Sequence, residues 1–274
     1  MIVATSRRRW WALLLVPLLV FVSLLLLSDT LYQRAIAQAP AFPFSACHKV
    51  WAHRGHAETG RENSLPSVKG AFERGAVGVE LDILFDRELN DFLVSHDRPY
   101  ALFDGNPLKL ESVLSQYSAS GFFWLDAKDL RKLSPPTAYK AAQRLSTIIQ
   151  RHQLTERALV ESSDPLSLHW LARQGVYTSL AVSPNDQKYS ATVYKLNTAL
   201  MKLAYAFAGA GAISMNAARY TPVTAATFGQ VAVLLSTVND PKALKLLSGI
   251  AEVKVILSDD DQYAITACTD RSGQ

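Results

Sequence analysis

Short apolar runs alternate with longer amphipathic stretches over most of this chain, from Val50 onward. The runs are short and rich in β-branched residues, which is typical of strands buried on both faces. We predict eight strands, at residues 50–53, 78–84, 122–127, 159–162, 176–182, 211–215, 231–235 and 253–257. The stretches between them repeat apolar residues at helical spacing, and we predict helices at 64–74, 110–117, 136–151, 165–173, 190–207, 223–228, 241–247 and 261–268.

The predicted helices begin at recognisable signals. A Ser, Asp or Thr before proline starts four of them, at Ser134-Pro135, Asp164-Pro165, Thr221-Pro222 and Asp240-Pro241. Eight strand–helix pairs within roughly 225 residues predict one α/β domain with the architecture of a (β/α)₈ TIM barrel. In that fold, functional side chains gather at the carboxyl ends of the strands.

The N-terminus precedes this repeating pattern and differs from it. Arg7, Arg8 and Arg9 come before residues 10–27, which carry no charge. This pattern predicts one transmembrane helix whose N-terminal end stays in the cytoplasm. The alternative is a secretory signal cleaved after Ala37, at Ala35-Ile36-Ala37. We expect residues 1–37 to form the anchor or signal, 38–46 a tether and 47–270 the barrel, which is extracytoplasmic in either case and secreted if cleaved.

Charged side chains suited to catalysis fall at the ends of the first strands. His53 ends the first predicted strand and Arg54 follows it, while His96 follows a further apolar run after Glu80 and Asp82. Glu80 and Asp82 are two residues apart on a strand and therefore share one face. Paired carboxylates favour Mg²⁺ or Ca²⁺, a guanidinium matches phosphate oxygens, and two imidazoles can divide the proton transfers. The set indicates metal-assisted phosphodiester cleavage.

Each of these motifs alone has a structural interpretation. A single histidine after a strand is usually a hydrogen-bonded surface or core residue. Because Val79, Leu81 and Ile83 are apolar, Glu80 and Asp82 would form a solvated face in an antiparallel sheet. In a parallel barrel the same face points inward, so the strand–helix alternation favours a site.

The combination of motifs resembles the glycerophosphodiester phosphodiesterase family, within the phosphatidylinositol-phospholipase-C-like phosphodiesterases. The matching segments are H-R-G at 53–55, E-N at 62–63, A-F-x-x-G-A at 71–76, E-L-D at 80–82, H-D at 96–97, S-T-V-N-D at 236–240 and V-K-V-I-L-S-D-D at 253–260. They extend over nearly the whole predicted barrel.

The resemblance implies hydrolysis of a small phosphodiester or lysolipid with one divalent cation, Mg²⁺ or Ca²⁺. It implies His53, His96 and Arg54 as catalytic residues. The implied metal ligands are Glu80, Asp82, Asp126 and Glu62, and the implied substrate contacts are Arg54, Asn63, Lys128 and Asn239. Glu161, at the end of the fourth strand, is a further candidate ligand or substrate contact.

Two of the chain's departures from the family pattern bear on its activity. The family usually has E-x-K on the third strand, where this chain has Asp126 and Lys128, and Ser236 replaces an aromatic residue before T-V-N. Two other functions therefore stay open. One is a phosphodiesterase resembling sphingomyelinase D or lysophospholipase D, and the other is a catalytically weak barrel that binds lipid headgroups.

Charge and cysteine content limit the remaining possibilities. The net charge is +4, but three of these charges come from the N-terminal segment, so nothing indicates a nucleic acid partner. The two cysteines, Cys47 and Cys268, are predicted to lie at the same end of the barrel. We expect them to form a disulfide in an oxidising compartment, the alternative being two free thiols. The sequence does not indicate an oligomeric state.

Overall fold

The computed structural model describes residues 4–44, 47–56 and 61–265. The strands, in chain order, are β1 Val50–Ala52, β2 Gly78–Asp86, β3 Asp91–Val94, β4 Leu102–Phe103, β5 Asn106–Pro107, β6 Phe122–Ala127, β7 Ala158–Ser162, β8 Tyr177–Ala181, β9 Ala212–Asn216, β10 Ala232–Ser236 and β11 Val253–Ser258. The helices are α1 Ala4–Gln38, α2 Leu65–Glu73, α3 Leu110–Tyr117, α4 Pro135–Arg151, α5 Pro165–Ala172, α6 Ala191–Ala208, α7 Pro222–Phe228 and α8 Pro241–Ser248.

Eight parallel strands close into a barrel, as the sequence predicts. Pairing runs from β1 through β11, β10, β9, β8, β7 and β6 to β2, and β2 pairs with β1 again through Ala52 and Val79. Three helix starts are capped as expected, because Asp164, Thr221 and Asp240 each accept a hydrogen bond from the backbone N–H three residues later. Each such cap stabilises its helix by about 1 kcal/mol.

Two elements differ from the sequence-based expectation. Strand β2 is longer than predicted and pairs with the antiparallel β3, which is followed by the small hairpin of β4 and β5. These three strands have two to four residues each, too short for a periodic pattern to reveal them. Residues 261–265 form no helix, so the predicted last helix is wrong over its described part.

The predicted disulfide falls partly outside the described residues. Cys47 is disulfide-bonded and carries no free thiol. Cys268 lies outside the described residues, so its pairing with Cys47 remains a prediction.

Aromatic side chains fill the amino-terminal end of the barrel. Trp51 stacks on Phe122 at 5.8 Å between ring centroids, and Phe44 meets Trp51 edge-on at 5.4 Å. Phe42 and Phe44 both contact Tyr177, so the segment expected to be a tether closes this end. Burying one such side chain stabilises the fold by roughly 1.5–3 kcal/mol.

The carboxyl-terminal part of helix α1 packs against the helices that surround the barrel. Tyr32 is fully buried, donates a hydrogen bond to the Phe228 carbonyl and packs edge-on against Tyr205. Asp29 forms an ion pair with Lys202 at 2.6 Å. Among the residues whose side chains are described, no helix combines the length and hydropathy needed for a membrane crossing.

Candidate functional site

The loop after β1 places His53 and Arg54 at the carboxyl end of the barrel. Arg54 and Gly55 adopt left-handed backbone conformations, with φ of 56° and 78°. A Cβ at Gly55 would lie 2.5 Å from Ser67 Oγ, so only glycine fits there. Hydrogen bonds from Asn63 N–H and Ser67 Oγ to the Arg54 carbonyl hold the turn. This strained loop directs the Arg54 amide at Glu80 Oε2, 2.9 Å away.

Three carboxylates converge inside the mouth of the barrel. Glu80 and Asp82 both point inward from β2, and Asp126 lies beside Asp82 in the register of β2 and β6. Carboxylate oxygens of these three residues lie within 4.8 Å of one another. Glu80 and Asp82 are almost completely buried. The sequence-predicted ligands on the two strands are therefore brought together.

Cations and an amide surround Asp82. Asn63 Nδ2 donates to Asp82 Oδ2 at 2.8 Å, and Arg54 Nε forms an ion pair with the same oxygen at 2.9 Å. Lys128 Nζ lies 3.0 Å from Asp82 Oδ1 and 2.7 Å from Asp126 Oδ2. Although burial opposes it, the charges of Asp126 and Asp82 raise the pKa of Lys128. Asn63, Arg54 and Lys128 thus lie where the sequence predicts.

The carboxylates repel one another strongly. Burial, then the charges of Asp82 and Asp126, raise the pKa of Glu80 well above its usual range. Burial also raises the pKa of Asp126 against the opposing effect of Lys128. The Lys128 ammonium, 3.0 Å from Asp82 Oδ1, offsets part of this repulsion. An all-oxygen set with free lone pairs and mutual repulsion fits a hard divalent cation such as Mg²⁺ or Ca²⁺.

A carboxylate orients His53. Its Nδ1 lies 2.7 Å from Asp259 Oδ1, and its Nε2 lies 4.0 Å from Glu80 Oε2. Despite partial burial, hydrogen bonds from Asn239 and His53 lower the pKa of Asp259, so this carboxylate accepts the Nδ1 proton. With the proton on Nδ1, the Nε2 lone pair is directed toward Glu80. Asp259 follows β11, and sequence reasoning did not assign it a role.

His96 follows β3 and is more exposed than His53, with side-chain exposures of 37% and 18%. Its Nδ1 is 2.6 Å from Asp97 Oδ2, a hydrogen bond that lowers the pKa of Asp97. With Ser95 and Pro99 it lines a small cavity of about 160 Å³, which is also lined by Arg61, Glu62, Asn63, Asp97 and Ala101. A larger cavity, of about 630 Å³, lies between α1, α6 and α7, away from the carboxylates.

Two predicted site residues act through neighbours in this structure. Both Glu62 carboxylate oxygens accept from Arg54 Nη1 at 3.1 Å, and Glu62 is outside the group of three converging carboxylates. Asn239 donates to Asp259 Oδ2 at 2.9 Å and accepts the Asp259 amide. Glu62 therefore positions the guanidinium, and Asn239 positions the partner of His53.

Glu161 is a further, half-buried acid on the strand next to Asp126. It is level with Asp126 in the register of β6 and β7, and Trp124 Nε1 donates to it at 2.6 Å. Burial and the charge of Asp126 raise the pKa of Glu161 to about 8. These surroundings therefore favour the protonated form of this side chain.

Comparison with solved structures finds the same barrel in several phosphodiesterases. A glycerophosphodiester phosphodiesterase from Parabacteroides distasonis is 20% identical over 77% of this chain and 92% of its own, with a TM-score of 0.59. A putative glycerophosphoryl diester phosphodiesterase from Silicibacter pomeroyi is 16% identical over 78% and 90%, with a TM-score of 0.62.

A third structure is an Oleispira antarctica phosphodiesterase in complex with the product sn-glycerol-3-phosphate. It is 18% identical over 82% of this chain and 95% of its own, with a TM-score of 0.55. No family model and no curated protein matches the sequence. The chain therefore has the barrel fold found in glycerophosphodiester phosphodiesterase structures.

Proposed function

We propose that this chain is a phosphodiesterase that hydrolyses glycerophosphodiesters or related lipid-headgroup phosphodiesters. The observation that carries the proposal is the convergence, at one end of the barrel, of an Asp259-oriented His53 with three carboxylates, two of them buried. The shared fold with several phosphodiesterases supports it, as does the glycerol phosphate bound to one of them.

A divalent cation, Mg²⁺ or Ca²⁺, would be held by Glu80, Asp82 and Asp126. When bound, it would polarise a phosphoryl oxygen and neutralise charge that develops in the transition state. Arg54 and Lys128 supply the fixed positive charges that bind and orient the phosphate. Both are already ion-paired to Asp82, which keeps them beside the carboxylates.

The two imidazoles carry the protons. His53 presents a free Nε2 and accepts the proton of the incoming hydroxyl, whose oxygen forms the new bond to phosphorus. His96, at the open rim, donates a proton to the leaving alkoxide as its bond to phosphorus breaks. The incoming hydroxyl is either water or a neighbouring hydroxyl of the substrate, which would give a cyclic phosphate first.

The test measures turnover of glycerophosphodiesters by the full chain, with and without a chelator. We expect chelator-sensitive turnover and losses of about 10²- to 10⁴-fold in His53→Ala and His96→Ala. The matched control is His169→Ala, because His169 stacks on Phe207 far from the site. Turnover that is unchanged in both site variants contradicts the proposal.

The same assay also tests two alternative functions. Asp126, in place of the glutamate of the E-x-K pattern, is the feature that favours a phosphodiesterase resembling sphingomyelinase D or lysophospholipase D. The ion pairs that engage Lys128 and Arg54 are the feature that favours a headgroup-binding barrel without turnover. Binding of a headgroup with no product formed would support that third function.

We also propose that the chain is anchored in a membrane by its N-terminus, with the barrel outside the cytoplasm. The support is the Arg7–Arg9 cluster before an uncharged segment, together with exposed apolar side chains on α1 such as Leu19, Val20 and Leu26. Cleavage after Ala37 would remove Tyr32 from its contacts with Tyr205 and Phe228. Membrane fractionation with N-terminal sequencing tests this, and recovery of a soluble mature chain starting at Gln38 would contradict it.

A further inference from the structure

We infer that the catalytic end of the barrel faces the membrane in which the N-terminal helix is anchored, so that the site takes phosphodiester headgroups of lipids resident in that membrane. The inference rests on the proposed anchor and on the proposed phosphodiesterase site. It follows from the direction of α1 and from where apolar side chains are exposed.

Helix α1 lies parallel to α6. Asp29 forms an ion pair with Lys202 and Tyr32 packs on Tyr205, and both pairs are separated by 173 positions. At the amino-terminal side of these contacts, Leu25 and Ser28 share a cavity with residues 189–195. At the other side, Gln38 shares a cavity with Gly209, which caps α6. Both helices therefore run in the same direction along the barrel.

The direction of α6 fixes the direction of the anchor. Helix α6 follows the carboxyl end of β8, so it starts at the catalytic end and finishes at the aromatic-filled end. At the observed offset of 173 positions, the start of α6 is level with residue 18. Residues 4–17 of α1 continue beyond α6 by about 21 Å, at 1.5 Å per residue. The anchor thus leaves the barrel from the catalytic end.

The outer helices expose apolar side chains at this same level. Val193, Leu196 and Leu200 form an exposed stripe on the first half of α6, beside the uncharged part of α1. Val223, in the first turn of α7, is 51% exposed. At the offset of 173 positions, the α6 stripe is level with residues 20–27, the last part of the uncharged segment. Apolar side chains at that depth are suited to the boundary between the headgroups and the acyl chains.

The rim around the candidate site has the same character on the opposite side of the barrel. Leu89, in the turn between β2 and β3, is 52% exposed, and Leu102, in the hairpin, is 55% exposed. Arg61 lies over the ring of Phe103, 5.7 Å from its centroid, and lines the cavity beside His96. Exposed leucines can contact the acyl chains of a phospholipid surface, and an arginine beside the barrel mouth can contact its anionic headgroups.

Spin labels test the orientation without any substrate. The full chain, as Leu102→Cys or Leu246→Cys, is labelled with a nitroxide and reconstituted in vesicles of phosphatidylcholine and phosphatidylglycerol containing a nickel-chelating lipid. Leu246 is the matched control because it is a 73% exposed leucine in the last turn of α8, at the aromatic-filled end. We expect relaxation by the lipid-bound nickel to be several-fold stronger at position 102.

Equal relaxation at the two positions, or stronger relaxation at 246, overturns the orientation, whether or not the protein is an enzyme. Conversely, if the protein proves not to be a phosphodiesterase, the spin-label result is unaffected. Failure of the orientation can therefore be distinguished from failure of the proposed function.

A second experiment compares one headgroup in two forms, as lysophosphatidylcholine in vesicles and as soluble glycerophosphocholine.

For this second experiment, Leu89→Asp combined with Leu102→Asp removes the apolar rim. We expect turnover in vesicles to fall by about tenfold or more, from the loss of leucine burial, while turnover of the soluble diester is unchanged. Leu246→Asp should leave both substrates unaffected. A vesicle rate that does not change, or an equal fall on both substrates, counts against the inference.

Discussion

The two ends of the barrel differ in how well their buried charged groups are paired. At the aromatic-filled end, the buried ammonium of Lys49 donates to the carbonyls of Ser248 and Ile250 at 2.8 and 2.9 Å. At the catalytic end, three carboxylates crowd within 4.8 Å, and Arg54 and Lys128 offset only part of their charge. One end is built for stability, while the other retains repulsion that a cation or a substrate can relieve.

Truncating the aromatic packing should give the largest effect on stability. Trp51 is 1% exposed and contacts both Phe44 and Phe122, so Trp51→Ala leaves a cavity in the closed end. We expect a loss of about 3–5 kcal/mol in the free energy of unfolding, measured with denaturant. Phe207→Ala is the control, since Phe207 is 52% exposed. A loss below about 1 kcal/mol would show that this end does not carry the stability assigned to it.

Neutralising a carboxylate at the catalytic end should have the reverse effect on stability and a severe effect on function. Glu80→Gln keeps the shape but removes one of three repelling charges. In the presence of a chelator we expect the variant to be more stable than the parent at neutral pH. We also expect its turnover to fall by at least about a hundredfold, because a charge of the cation site is lost.

The sign of the pH dependence follows from the raised pKa of Glu80. A raised pKa favours the protonated acid in the folded state, so the stabilisation is complete below the ordinary glutamate pKa of 4.5 and is lost as pH rises above it. Denaturant curves with chelator should show the parent losing stability relative to Glu80→Gln with rising pH. Added Mg²⁺ or Ca²⁺ should reverse the order. Glu88→Gln, at an exposed turn, should show neither effect.

Breaking the orientation of His53 should have a smaller effect. Asp259→Asn keeps the size of the side chain but loses the charge that accepts the Nδ1 proton of His53. We expect kcat to fall by about 10- to 100-fold with little change in KM, because the imidazole loses its fixed orientation and not its binding contacts. Equal falls in His53→Ala and in the double variant would confirm that the pair acts as one unit. An unchanged kcat would remove Asp259 from the mechanism.

Local patterns predicted most of the fold and only part of the site. The strand at Phe122–Ala127 and the helix at Leu110–Tyr117 match their predicted bounds, because their periodicity and turn signals lie within the segment. The pairing of Asp259 with His53 joins residues 206 positions apart, and no local pattern contains it. Likewise, residues 53–63 did not reveal that Glu62 would pair with Arg54, since that contact depends on the turn conformation.

The smallest effect is predicted for Asp164, an acid at the catalytic end that has a structural role. Asp164 follows β7, just past Glu161, yet its carboxylate accepts from the Ser167 amide at 3.1 Å and caps α5. Asp164→Ala should reduce the free energy of unfolding by about 1 kcal/mol, while Asp164→Asn, which can still cap, should reduce it less. Neither should change kcat or KM, because this carboxylate is already used by a helix terminus. A change in turnover would show that the functional site extends past β7. It would contradict the assignment of catalysis to the acids that face inward from β2 and β6.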